Sequence, residues 1–245
     1  MEAVPLKENI RIISNETKGE IEKNTILMSY ISNIDITDDL VHAAKLGTPL
    51  FKIGHGTPKI MITAGIHGNE LPPQIAAIQL INDLLDKKIN GTLYIIPFAV
   101  PHATMRNSRR FKGIDMNRAA SKGGFISNNI INTIKTHKIS AVGDFHSTKP
   151  GSNPGIQSVF CSKKPCYESY LMAKHITENT SSKMIVHEEA GSVYNGAFED
   201  ECNLEGIPAI TCEVVSRNGT VDLKSPEKSY LQMRYYLDYF NVIRL

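Results

Sequence analysis

The chain is poor in cysteine, in net charge and in long apolar runs, and each shortage excludes a class of protein. Four cysteines in 245 residues are too few to staple a fold. Cys161, Cys166, Cys202 and Cys212 form no C-x-x-C pair, so they read as buried small hydrophobes rather than redox or metal groups. The net charge of +2, from 27 Lys and Arg against 25 Asp and Glu, leaves no basicity for a general polyanion binder. Apolar stretches such as Leu93 to Val100 are far shorter than a membrane span and contain Pro97, so no membrane association is expected. Met1 to Arg11 has neither an apolar core nor a small-residue cleavage site. No secretory signal is therefore expected, and a cytoplasmic location is. With 41% hydrophobic and 21% charged residues, the composition is that of a globular protein rather than a disordered one.

What is present is an alternation of strands and helices. Short apolar runs predict strands at 59–66, 92–100, 139–145, 157–161 and 209–215. Amphipathic stretches predict helices at 74–87, opened by Pro72 and Pro73, and at 128–138, 167–179 and 225–242. Strands apolar on both faces and spaced by helices predict an α/β fold, a three-layer sandwich with a mostly parallel, mixed central sheet. One domain over residues 1–245 is expected, with 1–58 a more polar lead-in of irregular or β character and 59–245 the core.

Four segments carry candidate chemistry. His67-Gly68-Asn69-Glu70 follows a strand and precedes a helix, at the strand end where open α/β sheets place their sites. Its imidazole and carboxylate can converge on one cation, although the spacing alone is weak. Asp144-Phe145-His146-Ser147 ends a second strand, and two His with one Glu leave a fourth position open, as a catalytic zinc requires. His55 is the nearest rival ligand. Arg106 to Arg118 holds four Arg and one Lys in a nearly neutral chain. That segment reads as a solvated loop or an anion pocket, and it lacks the aromatic platforms a nucleic-acid face would want. Glu213, inside the apolar strand 209–215, is either partnered in the sheet or a poised general base. Tyr194, on a glycine-flanked loop, can lie over the site.

Taken in this order, G-x-H-G-N-E at 65–70, R-F then D-x-N-R at 110–118, D-x-H-S at 144–147 and E-V at 213–214 resemble the zinc carboxypeptidase superfamily. The closer resemblance is to its succinylglutamate desuccinylase and aspartoacylase branch. It implies one zinc on His67, Glu70 and His146, with Asp115 orienting the first imidazole. It implies that Asn117 and Arg118 grip a substrate carboxylate and that Arg110 polarises the scissile carbonyl, with Arg109 as the alternative. Glu213 matches the general base, and Tyr194 loosely matches a mobile substrate-binding Tyr. Phe198 to Glu201 (FEDE) falls near the specificity wall of such enzymes, although exposed helix residues are the plainer expectation. The chain ends 32 residues after Glu213, at Leu245, so the additional C-terminal β domain of aspartoacylase-like members is expected to be absent.

The expected function is zinc-dependent hydrolysis of the amide bond of an N-acyl amino acid, or of a peptide with a free carboxylate. A carboxypeptidase acting on peptides is the alternative within that chemistry. A non-catalytic metal- or carboxylate-binding protein on the same scaffold is the alternative outside it. No nucleic-acid partner is expected.

Overall fold

Period-two alternation along the strands separates two apolar layers, and the helices cover both. The structure, a computed structural model, describes residues 7–244. Its strands are β1 (Ile10–Ser14), β2 (Thr48–His55), β3 (Lys59–Ala64), β4 (Gly91–Ile96), β5 (Ala141–Thr148), β6 (Ser158–Lys164), β7 (Lys183–Glu189) and β8 (Ala209–Val215). They form one sheet in the order β1-β2-β4-β3-β5-β8-β6-β7. The centre β4-β3-β5-β8 is parallel, whereas β1, β2 and the β8–β6 junction pair antiparallel.

The α-helices are α1 (Thr25–Ile31), α2 (Thr37–Leu46), α3 (Leu71–Leu84), α4 (Pro101–Met105), α5 (Ile126–His137), α6 (Tyr167–Asn179), α7 (Phe198–Leu204) and α8 (Ser225–Tyr239). Pro72 and Pro73 open α3, where missing N–H groups cost nothing. Lys138, left-handed at φ 54°, closes α5. On β3, Ile60, Ile62 and Ala64 join a core with α1, α2, α3, α6 and α8, while Met61 faces α5 and α7. Leu93 and Ile95 of β4 likewise face the first layer, and Tyr94 and Ile96 the second. The fold is therefore the expected three-layer α/β sandwich with a mixed sheet.

The segment 1–58 is more structured than expected. Over its described residues it supplies the edge strand β1, its neighbour β2 and also two helices, α1 and α2, whose Leu27, Ile31, Leu40 and Ala43 are buried in the first core. Short α4, β7 and α7 were also unanticipated, because a run of five to seven residues holds too few turns to display a period. Among the described residues no helix is long and apolar enough to cross a membrane.

Candidate active site

Helix α3, which follows β3, and helix α5, which leads into β5, pack on opposite faces of the sheet. A crevice therefore opens at the carboxyl ends of β3, β5 and β8. The β5 sequence A-V-G-D-F-H-S-T alternates so that Phe145 enters the first core while Asp144 and His146 point to the other face. Residue by residue, Asp144 lies opposite Thr211 of β8, and His146 opposite Glu213.

Gly68 lets the β3–α3 turn approach α4. A Cβ at Gly68 would lie 2.0 Å from the Ala103 carbonyl carbon and 2.2 Å from the Thr104 nitrogen. Gly68→Ala is therefore expected to destabilise the fold by about 1–3 kcal/mol, read as a lower urea midpoint. Gly123→Ala, where a Cβ meets nothing within 4 Å, is the neutral control.

Three donors converge at this turn. His67 Nδ1 lies 2.8 Å from Glu70 Oε1, and His146 Nδ1 lies 2.7 Å from Glu70 Oε2. The outer nitrogens are equally committed: His67 Nε2 to Asp115 Oδ1 at 2.8 Å, His146 Nε2 to Asp144 Oδ2 at 2.7 Å. The Thr63 hydroxyl donates to the other Asp144 oxygen at 2.6 Å, and the Ser147 amide donates to Glu70 Oε2 at 3.1 Å. Arg109 bridges the two acids, reaching Glu70 at 3.0 Å and Asp115 at 3.1 Å.

Charge follows this geometry. Burial alone would raise Glu70, but the flanking His67 and His146 hold its carboxyl well below the usual range. Burial alone would lower His146, yet Asp144 and Glu70 raise it well above an ordinary histidine. Asp115 is opposed by burial and held low by His67 and Arg109.

The donor set fits a metal ion. One atom from each of His67, Glu70 and His146 lies within 4.8 Å of the others, and all three residues are buried. Both Nδ1 atoms face the carboxylate between them, while each Nε2 is fixed by a carboxylate behind it, the usual arrangement for metal-binding histidines. Asp144 was the partner that sequence reasoning left without a role; the D-x-H spacing, which puts both side chains on one strand face, was its signal. His55 is no rival: it pairs with Gly91 at the start of β4, the opposite end of the sheet.

Glu213 stands beside this group without belonging to it. Its Oε2 is buried without a hydrogen-bond partner. Burial and the neighbouring Glu70 charge push its carboxyl up to about 8.

A cavity of about 350 Å³ spreads from these residues and includes Arg109, Asn117, Arg118 and Tyr194. Asn117 Oδ1 accepts from the Phe198 amide at 2.8 Å, tying the basic segment to the start of α7. The Arg118 guanidinium lies 5.1 Å from the centre of the Tyr194 ring. Arg110 is a correction. Its guanidinium donates to the Gly113 carbonyl at 3.0 Å and does not line the cavity; Arg109 does. Neighbouring side chains on this non-helical segment emerge on different sides, and spacing alone does not reveal which side faces inward. The FEDE segment is a second correction, because Phe198, Glu199 and Asp200 on α7 are buried rather than exposed.

Residues 56–228 match the family of succinylglutamate desuccinylase/aspartoacylase catalytic domains. No curated protein matches the chain. Among solved structures it is similar to a succinylglutamate desuccinylase/aspartoacylase from Rhodobacter sphaeroides, at 17% identity and a TM-score of 0.60, covering 82% of this chain and 62% of that one. It is similar to the ectoine utilization protein EutE (DoeB) from Ruegeria pomeroyi, at 16% identity and a TM-score of 0.63, covering 82% and 64%. A metallo-carboxypeptidase from Burkholderia cenocepacia is similar at 14% identity and a TM-score of 0.57, covering 79% and 62%. The chain spans a little over three fifths of these proteins' lengths.

Proposed function

The chain belongs to the family of succinylglutamate desuccinylase/aspartoacylase catalytic domains, and from that premise we propose that it is a zinc-dependent hydrolase. Its substrate is an N-acyl amino acid, or a peptide with a free carboxylate, cleaved at the amide bond. The observation that carries this reading is Glu213: a half-buried side chain with one buried, unpaired carboxyl oxygen, directly opposite His146 of a ready donor set.

His67, Glu70 and His146 are the residues that would hold the ion, with Asp115 and Asp144 fixing the imidazoles. Bound there, zinc supplies Lewis acidity, polarising a carbonyl and acidifying water. Asn117 and Arg118 bind the substrate carboxylate and so set the amide in register. Glu213 receives a proton from the attacking water at its free oxygen and returns it to the departing amine. Its unpaired oxygen, on the strand position opposite His146, suits it to both halves of that exchange. Arg109, partly exposed to the cavity, offers N–H donors to the oxygen on which negative charge develops. Tyr194 covers the Arg118 side of the cavity.

The test is a panel of N-succinyl, N-acetyl and dipeptide substrates assayed with zinc and with chelator. Chelator-sensitive release of a free amino acid supports the reading, and the preferred substrate separates deacylase from carboxypeptidase. No release from any substrate at stoichiometric zinc refutes it.

Steady-state kinetics divide the arginines. Arg109→Ala is expected to lower kcat by about 10²- to 10³-fold, as loss of an oxyanion donor does. Arg118→Ala is expected mainly to raise KM, and Arg110→Ala to change neither by more than a few-fold. A kcat loss confined to Arg110→Ala would return the polarising role to that residue.

A further inference from the structure

Three segments that carry the site's chemistry are tied together at one glycine. Glu70 follows Asn69 in the β3–α3 turn, Arg109 lies shortly after α4, and Glu213 stands on β8, just before Gly219. The Gly219 amide donates to the Asn69 carbonyl at 2.7 Å. The Gly219 carbonyl accepts from Asn107 Nδ2 at 2.8 Å. The chain around Gly219 is itself braced. The Ser216 amide donates to the Thr148 carbonyl at 2.9 Å, which extends the pairing of β8 on β5, and the Thr220 amide donates to the Arg217 carbonyl at 3.2 Å. The Arg217 guanidinium grips Asp222 at 3.0 Å.

Asn107 has a backbone duty and a side-chain duty, and the two are separable. Its backbone, left-handed at φ 49°, ends α4 in the manner usual for glycine. The Asn107 amide donates to the Thr104 carbonyl at 3.0 Å, and the Ser108 amide to the Ala103 carbonyl at 2.9 Å. A glycine would close the helix equally well. The side chain adds what glycine lacks, an amide that bridges 112 residues of chain to Gly219. Gly219, at φ 72°, makes room for it, since a Cβ there would lie 2.7 Å from Asn107 Nδ2. Beyond Asn107 the chain stays compact. The Ser108 hydroxyl donates to the Arg110 carbonyl at 3.0 Å and accepts from the Arg110 amide at 3.2 Å, so Arg109 sits at the head of a short closed turn. The position of Asn107 therefore sets the position of Arg109.

We propose that Asn107 is a positioning residue of this site: through the Gly219 carbonyl it fixes the turn that carries Arg109 relative to Glu70 and Glu213. The proposal rests on the hydrolytic reading for the part Arg109 plays in the reaction. Asn107 does not line the cavity, so it acts through Arg109 and not on a ligand. Without the bridge, the turn after α4 keeps its cap and loses its tie to β8. A donor displaced by about 1 Å from the charge it stabilises costs up to about 10²-fold in rate.

The experiment is a double-mutant cycle on the zinc-supplied protein. Asn107→Gly keeps the left-handed cap and removes only the bridge, whereas Asn107→Asp keeps the shape and replaces the donor by a carboxylate oxygen. Each is expected to lower kcat by about 10- to 100-fold and to leave KM within a few-fold. In the Arg109→Ala background the same substitutions are expected to cost less than about threefold, because the group they act through is gone. Equal losses in both backgrounds overturn the proposal, as does an unchanged kcat in Asn107→Gly or a loss confined to KM. A second readout needs no turnover. Arg109 Nε donates to Asp115 at 3.2 Å, and its NMR signal in ¹⁵N-arginine-labelled protein is identified by its loss in Arg109→Ala. In Asn107→Gly that signal is expected to shift while the Arg118 signal, identified through Arg118→Ala, stays in place. An unmoved Arg109 signal overturns the proposal even where nothing is hydrolysed, and equal shifts at Arg109 and Arg118, the mark of general loosening, overturn it too. A selective Arg109 shift in a protein that cleaves no substrate of the panel defeats the hydrolase reading alone.

Discussion

Glu213→Gln is expected to lower kcat by about 10²- to 10⁴-fold, the scale of a lost general base, while zinc stoichiometry stays that of the unsubstituted protein. The variant removes one ionisable oxygen and keeps the volume, so the two measurements separate proton transfer from metal binding. Undiminished turnover would remove Glu213 from the reaction, and lost zinc would make it part of the metal centre instead. The metal-free protein offers a second readout. Its Glu213 holds a proton up to about 8, whereas the unfolded chain releases it near 4.5. Between those values the folded state binds more protons, so stability falls as pH rises through the window. Glutamine does not titrate. Glu213→Gln should therefore gain stability relative to the unsubstituted chain between pH 5 and pH 8, measured as a pH series of urea midpoints. A constant difference across that range would contradict the assigned burial.

Zinc added to the metal-free protein is expected to stabilise it by about 4 kcal/mol at a free concentration a thousand times its Kd. For a chain of this size that is a Tm increase of about 8–16 °C. The reason is the placement of the donors. The ligand atoms already lie within 4.8 Å of one another, and Asp115 and Asp144 hold both imidazoles in orientation. Binding thus orders little that is not ordered already. His146→Ala should abolish most of the zinc-dependent shift. A shift that persists in His146→Ala would mean that zinc binds elsewhere, and the absence of any shift would refute the metal centre. Asp144→Asn tests the support behind the ligand: it leaves all three donors in place and is expected to weaken zinc by about 10- to 100-fold.

Much of the site was legible because its determinants are local. His67 and Glu70 share one turn after a buried strand, and three residues of spacing suffice to bring their side chains together. Asp144 and His146 alternate with the core residue Phe145, so strand geometry alone puts them on one face. The central elements were readable for a related reason. The helix Tyr167–Asn179 and the strand Ala209–Val215 have the bounds their periodicity predicts, because each is long enough to show its period. Residues 10–55 were not, since their short helices bury only part of each face and owe their form to packing on α3 and β2.

Composition and spacing alone therefore determined the α/β alternation, the candidate donors and the presence of a carboxylate inside an apolar strand. Three matters were decided only by the tertiary structure. Glu213 stands opposite His146 because the parallel register of β5 and β8, set by packing over a long chain separation, aligns them. Arg109 rather than Arg110 faces the acids because a segment without a repeating geometry does not advertise its side-chain directions. Glu199 became a buried residue because α7 packs against β5, β6 and β8, turning an acidic segment inward. In each case the deciding quantity is a direction in space, which a one-dimensional pattern encodes only when it repeats.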